Sequence, residues 1–189
     1  MIEFGVILAA IVAVGMSATV ALLMFHAFFY VPFVPTEKRV LEKIVSIADL
    51  KDGEKVYDLG SGDGRVLEEA LKMASIQATG IEVSRMVLLL GKIRRYFKKT
   101  KIQFLRKNFF KHDLSDADVV FCYLFPGVMK GLQEKFEKEL KQGARVISYS
   151  FPMVEWQPKK TLITREDKPK NFLVYRYDVP ESFRSKSKA

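Results

Sequence analysis

At 189 residues, 49% apolar and 28% charged, the chain has the composition of a folded protein and the length of one ordinary domain with a buried core. Its single cysteine, Cys122, excludes a disulfide framework and a cysteine-rich zinc site. The two histidines, His26 and His112, lie far apart without a carboxylate at ligand spacing, so no metal is expected.

Residues 4 to 34, FGVILAAIVAVGMSATVALLMFHAFFYVPFV, contain no Asp, Glu, Lys or Arg. A bilayer-spanning helix needs about 20 mostly apolar residues, and this run exceeds that before Pro32. A cleaved signal peptide fits less well, because a basic n-region is missing and the stretch is too long, although ILAAIVA imitates a cleavage site. A buried soluble helix is disfavoured by the uniform apolarity. Residues 1–34 therefore read as a single-pass transmembrane anchor. Glu3 is the one charged side chain ahead of Glu37, so residues 37–189 carry 31 basic and 21 acidic side chains, a net of +10. Basic flanks stay on the cytoplasmic side, which puts the larger part of the chain on that face of the bilayer.

Thr36 stands where it can cap a helix through EKRVLEKIVSIA, whose Val40, Leu41, Ile44, Val45 and Ala48 share one face. After the turn KDGEK, strands and helices alternate: KVYDLG, then helix GRVLEEALKMA; QATGIEV, then helix SRMVLLLGKIRRYFKK. KIQFLRK is followed by the loop NFFKHDLSDA, DVVFCYLF by helix VMKGLQEKFEKELK, and ARVISYSF by two alternating runs, KTLITR and NFLVYRYDV, expected to pair antiparallel. The order predicts an α/β, Rossmann-like, doubly wound sheet of seven strands, mostly parallel with an antiparallel C-terminal strand. The domain should run over residues 35–180, with a basic tail over 181–189.

In such a sheet the ligand lies at the carboxyl ends of the strands. The first strand ends in YDLGSGDGR. Gly60, Gly62 and Gly64 read G-x-G-x-G, one position short of the dinucleotide fingerprint, and the Lys-Ser/Thr pair of a phosphate loop is missing. Asp58 and Asp63 would repel a pyrophosphate. S-adenosylmethionine suits the turn better, since its sulfonium and ammonium are positive and it has no phosphate. Glu82, at the end of the second strand, is placed to accept from ribose hydroxyls. Asn108, after the third, can accept from an adenine amino group, with Phe109 or Phe110 packing on the ring.

The motif YDLGSGDGR resembles the first motif of the seven-strand methyltransferases that use S-adenosylmethionine. PFVPT at 32–36 and DLSDADVVFCYLFPGVMKGLQEKFEKELKQGARVIS at 113–148 narrow the likeness. They resemble a prokaryotic family related to the membrane-anchored mitochondrial protein lysine methyltransferases, which act on the ATP synthase c-ring protein and the adenine nucleotide translocase. The resemblance implies S-adenosylmethionine as cofactor, with Asp58, Gly60, Ser61 and Gly62 around its methionine part, Glu82 at the ribose and Asn108 and Phe109 at the adenine. Relatives often carry Asp at the Asn108 position, and some carry His-Asp where this chain has Tyr149 and Ser150.

For the acceptor, CYLFPG at the end of the fourth strand offers Tyr123 and Phe125 on one side of the chain, with Pro126 shaping a wall. Tyr123 is the candidate for orienting an amine; for Phe125, packing against the next helix is an equal reading. Thr36 belongs either to the pocket's lip near the cofactor or to the helix cap alone. Three classes of acceptor stay open. A protein lysine, in a membrane protein near the headgroups, leads; RNA is suggested by the net charge of +9 and pI near 9.5; a lipid or quinone would also suit an anchor.

Overall fold

Parallel strands covered on both faces need apolar side chains at nearly every position, and β4 (Val119–Cys122, VVFC) is buried throughout. A computed structural model describes residues 2–29, 36–166 and 172–183. It places β4 near the middle of a seven-stranded sheet of order β3-β2-β1-β4-β5-β7-β6. The other strands are β1 (Lys55–Leu59), β2 (Gln77–Ile81), β3 (Gln103–Leu105), β5 (Arg145–Tyr149), β6 (Lys160–Ile163) and β7 (Leu173–Asp178). Strands β1 to β5 pair in parallel, and β7 runs antiparallel to both β5 and β6. The doubly wound topology read from the sequence is the observed one, and strand order reverses between β1 and β4.

Alternation along the strands divides the core. Val120 and Cys122 face α5 (Pro126–Glu139), packing with Met129, Leu132, Phe136 and Trp156. Val119 and Phe121 face α2 (Lys38–Ser46) and α3 (Arg65–Met73), packing with Val45, Leu67 and Ala70. Cys122 is core, as expected, and burial pushes its thiol up to about 12. The cap of α2 falls one residue later than read: Glu37 is its N-cap, with no side-chain hydrogen bond, so Thr36 is not a cap. Pro126 starts α5, where its missing N–H costs nothing. At the far end Phe183 packs on Trp156, ring centroids 4.6 Å apart, and Ser182 is buried. Residues 184–189 of the expected tail lie outside the described residues.

The N-terminal unit, residues 1–34, is described as α1 (Ile2–Phe29), one helix of 28 residues. Within it Gly5–Leu22 has a mean hydropathy of 2.3, long and apolar enough to cross a membrane. Its Ser17 and Thr19 hydroxyls donate to the carbonyls of Ala13 and Gly15 one turn back, which satisfies them without water.

At the sheet edge, the Phe104 ring fills a space that only glycines leave open. A Cβ on Gly64 would stand 2.5 Å from Phe104 Cζ, and one on Gly91 of α4 (Arg85–Lys98) 2.9 Å from it. Gly64 also has φ +80°. Gly64→Ala therefore combines a left-handed backbone penalty of about 1–2 kcal/mol with overpacking of about 1–3 kcal/mol. Gly143 has φ +83° with nothing within 4 Å of an added Cβ, so Gly143→Ala should cost only about 1–2 kcal/mol. Urea unfolding of the two variants checks this: Gly64→Ala should be the less stable.

Candidate active site

The turn after β1 is bent by three left-handed glycines, Gly60, Gly62 and Gly64 (φ +73°, +57° and +80°). It is tied to the end of β2, because the Gly60 and Ser61 amides both donate to the Ile81 carbonyl, at 2.9 and 3.1 Å. Glu82 reinforces the tie: its Oε2 accepts from the Gly62 amide at 3.3 Å and its Oε1 from the Ser84 amide at 2.8 Å. Two of the roughly four acceptor positions of this carboxylate are thereby used, leaving others for a ligand.

Asp58 sits at the end of β1, only 5% exposed. Burial, with the charges of Glu82 and Asp63 beside it, pushes its carboxyl up to about 7. Asp63 is differently placed. Arg65 grips it through Nε at 2.9 Å and Nη2 at 2.7 Å, and Arg94 approaches to 3.8 Å. Arg65 also donates to the Thr36 carbonyl at 3.0 Å. Thr36 thus meets the glycine turn through its backbone. Of the two aspartates singled out in the turn, Asp63 is the one held in ion pairs among the described residues.

Past β3, Asn108 caps a single 3-10 turn, Phe109–Lys111, and its Oδ1 accepts from the Phe110 amide at 2.9 Å. Phe109 packs on the core beneath, while Phe110, 4.9 Å from it between centroids, lies against Gly131 of α5.

Beyond β4 the chain alternates as read. Leu124 is buried and would meet a Cβ on Gly60 at 2.9 Å, whereas Tyr123 and Phe125 both turn to Phe151, at 6.5 and 6.3 Å between centroids. Tyr123 also packs on Tyr149 at 4.7 Å. The sequence reading did not anticipate this second wall. It depends on Ser150, a non-glycine residue at φ +66°, whose amide donates to the Leu173 carbonyl, while Ser148 Oγ donates to the Phe151 carbonyl. A left-handed residue of this kind costs about 1–2 kcal/mol, and here it folds Phe151 back over Tyr123. The Tyr149 phenol is raised by burial and lies near Thr164, Ser150 and Tyr123.

The chemistry of the first cluster is selective. Two carboxylates without cationic partners among the described residues, and a buried Ser61 Oγ with no hydrogen-bond partner there, suit a ligand that carries positive charge and polar groups and repel one that carries phosphate. The ANTKMT methyltransferase domain model matches residues 58–160, from Asp58 to the start of β6. The chain belongs to this family. It is an S-adenosylmethionine-dependent methyltransferase, and its cofactor is S-adenosylmethionine. The methyltransferase is 37% identical over 136 residues to a protein-lysine N-methyltransferase of Saccharolobus islandicus, covering 70% of this chain and 84% of that one. It is 34% identical to the mouse adenine nucleotide translocase lysine N-methyltransferase, over 68% of this chain and 56% of that protein. To the rat lysine N-methyltransferase named for the C subunit of ATP synthase it is 33% identical, over 69% and 60%. The methyltransferase therefore spans little more than half the length of these two mammalian relatives. Among solved structures, an RNA methyltransferase from Salinibacter ruber with S-adenosyl-L-homocysteine is 29% identical with a TM-score of 0.74, covering 82% of this chain and all of that one.

A carboxyl raised in the folded state favours folding below its unfolded pKa, and that contribution is lost as pH rises through about 7. Asp58→Asn should thus make the cofactor-free protein more stable at pH 8 by roughly 2–4 kcal/mol, with the gain vanishing towards pH 4. The same change should weaken S-adenosylmethionine binding about ten- to hundredfold. The parent should lose affinity as pH falls below 7, and the same change should abolish that loss. Denaturant unfolding and calorimetric titration across pH measure both.

Proposed function

We propose that this methyltransferase modifies a lysine side chain of a protein, and that the aromatic cluster of Tyr123, Phe125, Tyr149 and Phe151 receives the amine. The observation that carries the reading is the cluster's position. β4 lies beside β1 with Phe121 opposite Asp58, so Tyr123 follows two residues beyond the cofactor carboxylate's partner. Aromatic faces attract an ammonium and also desolvate it, which lowers its pKa and frees the neutral amine that must attack. Bound S-adenosylmethionine supplies an electrophilic methyl group on a sulfonium. Asp58 offsets the positive charge of the methionine part, the Gly60–Gly62 backbone with Ser61 cradles it, and Glu82 accepts from the ribose. Asn108 and Phe109 border the adenine, and Thr36 closes the lip over the Arg65–Asp63 pair. Tyr123 orients the amine; alignment of the reacting groups is the main service such a site performs.

In the same reading α1 is a single-pass anchor and the catalytic domain lies on the cytoplasmic side. The uncharged run of residues 4–34 and the net +10 of residues 37–189 support it. The acceptor is then a lysine of a membrane protein near the headgroups. The relatives named for the adenine nucleotide translocase and for ATP synthase are consistent with such acceptors. RNA is the second reading, favoured by the likeness to the Salinibacter ruber RNA methyltransferase.

Labelled S-adenosylmethionine, offered with membranes, RNA and lipid extract separately, should deliver label to lysines of membrane proteins. Label confined to RNA or lipid would refute the lysine acceptor. Tyr123→Phe should lower that turnover about tenfold or more while leaving cofactor affinity unchanged by titration. A matching loss of cofactor affinity would place Tyr123 on the cofactor side instead.

A further inference from the structure

Helix α4 turns an apolar stripe to solvent. Met86, Leu89, Leu90, Ile93, Tyr96 and Phe97 are all exposed, Tyr96 and Phe97 by 79% and 76%, and Val83 extends the stripe towards Glu82. The buried residues of α4 are Leu88 and Gly91. At the angular spacing of an α-helix, the six exposed side chains fall within an arc of about 120°, opposite Leu88 and Gly91, and extend roughly 16 Å along the axis.

Charge identifies what covers the stripe. Between Val83 and Lys101 there are seven Lys and Arg and no Asp or Glu. Arg94 is engaged by Glu68, and Arg95 by the Ile102 carbonyl. Arg85, Lys92, Lys98, Lys99 and Lys101 are exposed along the stripe and at its end. There, Arg95, Tyr96, Phe97, Lys99 and Thr100 line a shallow hollow, and Thr100 Oγ1 is buried with no hydrogen-bond partner among the described residues. An aliphatic stripe with aromatics at one end and basic borders matches the headgroup–acyl boundary of an anionic bilayer. A protein partner would need the same geometry with an acidic rim all round.

We propose that α4 is an interfacial membrane-binding helix. The Met86–Phe97 stripe enters the headgroup boundary, and Arg85, Lys92 and Lys99 meet lipid phosphates. Because α4 begins directly after Ser84, two residues from Glu82, this contact sets the ribose end of the cofactor site at headgroup level. It holds whatever the methyl acceptor is, and it does not depend on α1.

The test uses the full chain with Leu90→Cys carrying an environment-sensitive fluorophore; Cys122 is too buried to compete for label. Vesicles of phosphatidylcholine alone are compared with an equal mixture of phosphatidylcholine and phosphatidylglycerol. With the anionic mixture, acrylamide quenching at position 90 should fall about fivefold or more, while a label at Lys138→Cys on α5 stays accessible. Adding Lys92→Glu and Lys99→Glu should restore quenching at position 90 without affecting cofactor binding. Equal quenching at position 90 with both vesicles would overturn the proposal. So would protection that appears in detergent and grows with protein concentration, which would assign the stripe to a second copy of the chain.

Discussion

Burying the Asp58 carboxylate beside Glu82 and Asp63 is the constraint around which the carboxyl edge of the sheet is organised. A buried carboxylate without a partner is costly, and its raised pKa reflects that cost. The surroundings divide the load unequally. Asp63 is neutralised by Arg65 and Arg94, which also draw the Thr36 carbonyl and α4 towards the turn. Glu82 is held by two backbone amides. Asp58 receives no such relief from a charged side chain among the described residues, and on the proposed reading a cationic cofactor supplies it.

The glycine turn and Phe104 serve this arrangement mechanically. Left-handed φ at Gly60, Gly62 and Gly64 lets the chain reverse tightly enough for two consecutive amides to reach one carbonyl of β2. Phe104, filling the space left by Gly64, Gly80 and Gly91, locks β3, β2, α4 and the turn into one unit. Beyond β4 and β5 the local strain lies at Ser150, where a left-handed backbone turns Phe151 back to complete a wall begun by Tyr123. Strain at such a position is maintained because the hydrogen bonds of Ser148 and Ser150 to neighbouring backbone over-determine it.

Much of this was legible before any coordinates, and for physical reasons. The continuous burial of β4 demands an unbroken apolar run, and VVFC displays one. The third glycine, one place early for a dinucleotide, and the carboxylates of Asp58 and Asp63 already argued against a phosphate ligand. What the sequence concealed depends on distant residues meeting. Asp63 looked equivalent to Asp58 because both are carboxylates of one turn; only the folded turn shows Arg65, two residues on, gripping Asp63 while Asp58 is buried. The Tyr149–Phe151 wall required a left-handed serine, which no residue type announces. Thr36 looked like a cap because its type is right, but the helix begins one residue further on. The outward stripe of α4 was hidden as well, since periodicity cannot tell which side of a helix meets the sheet until Gly91 is seen against Phe104.

The central claim is that Asp58 is held protonation-poised for a cationic cofactor, and its own titration tests that most directly. Carbon-13 NMR of the aspartate carboxyls, assigned by Asp58→Asn, would follow the group with and without S-adenosylmethionine. The account predicts a midpoint near 7 in the free protein and a downward displacement when the positively charged cofactor binds. A midpoint in the ordinary carboxylate range in the free protein, unchanged on addition of cofactor, would contradict it.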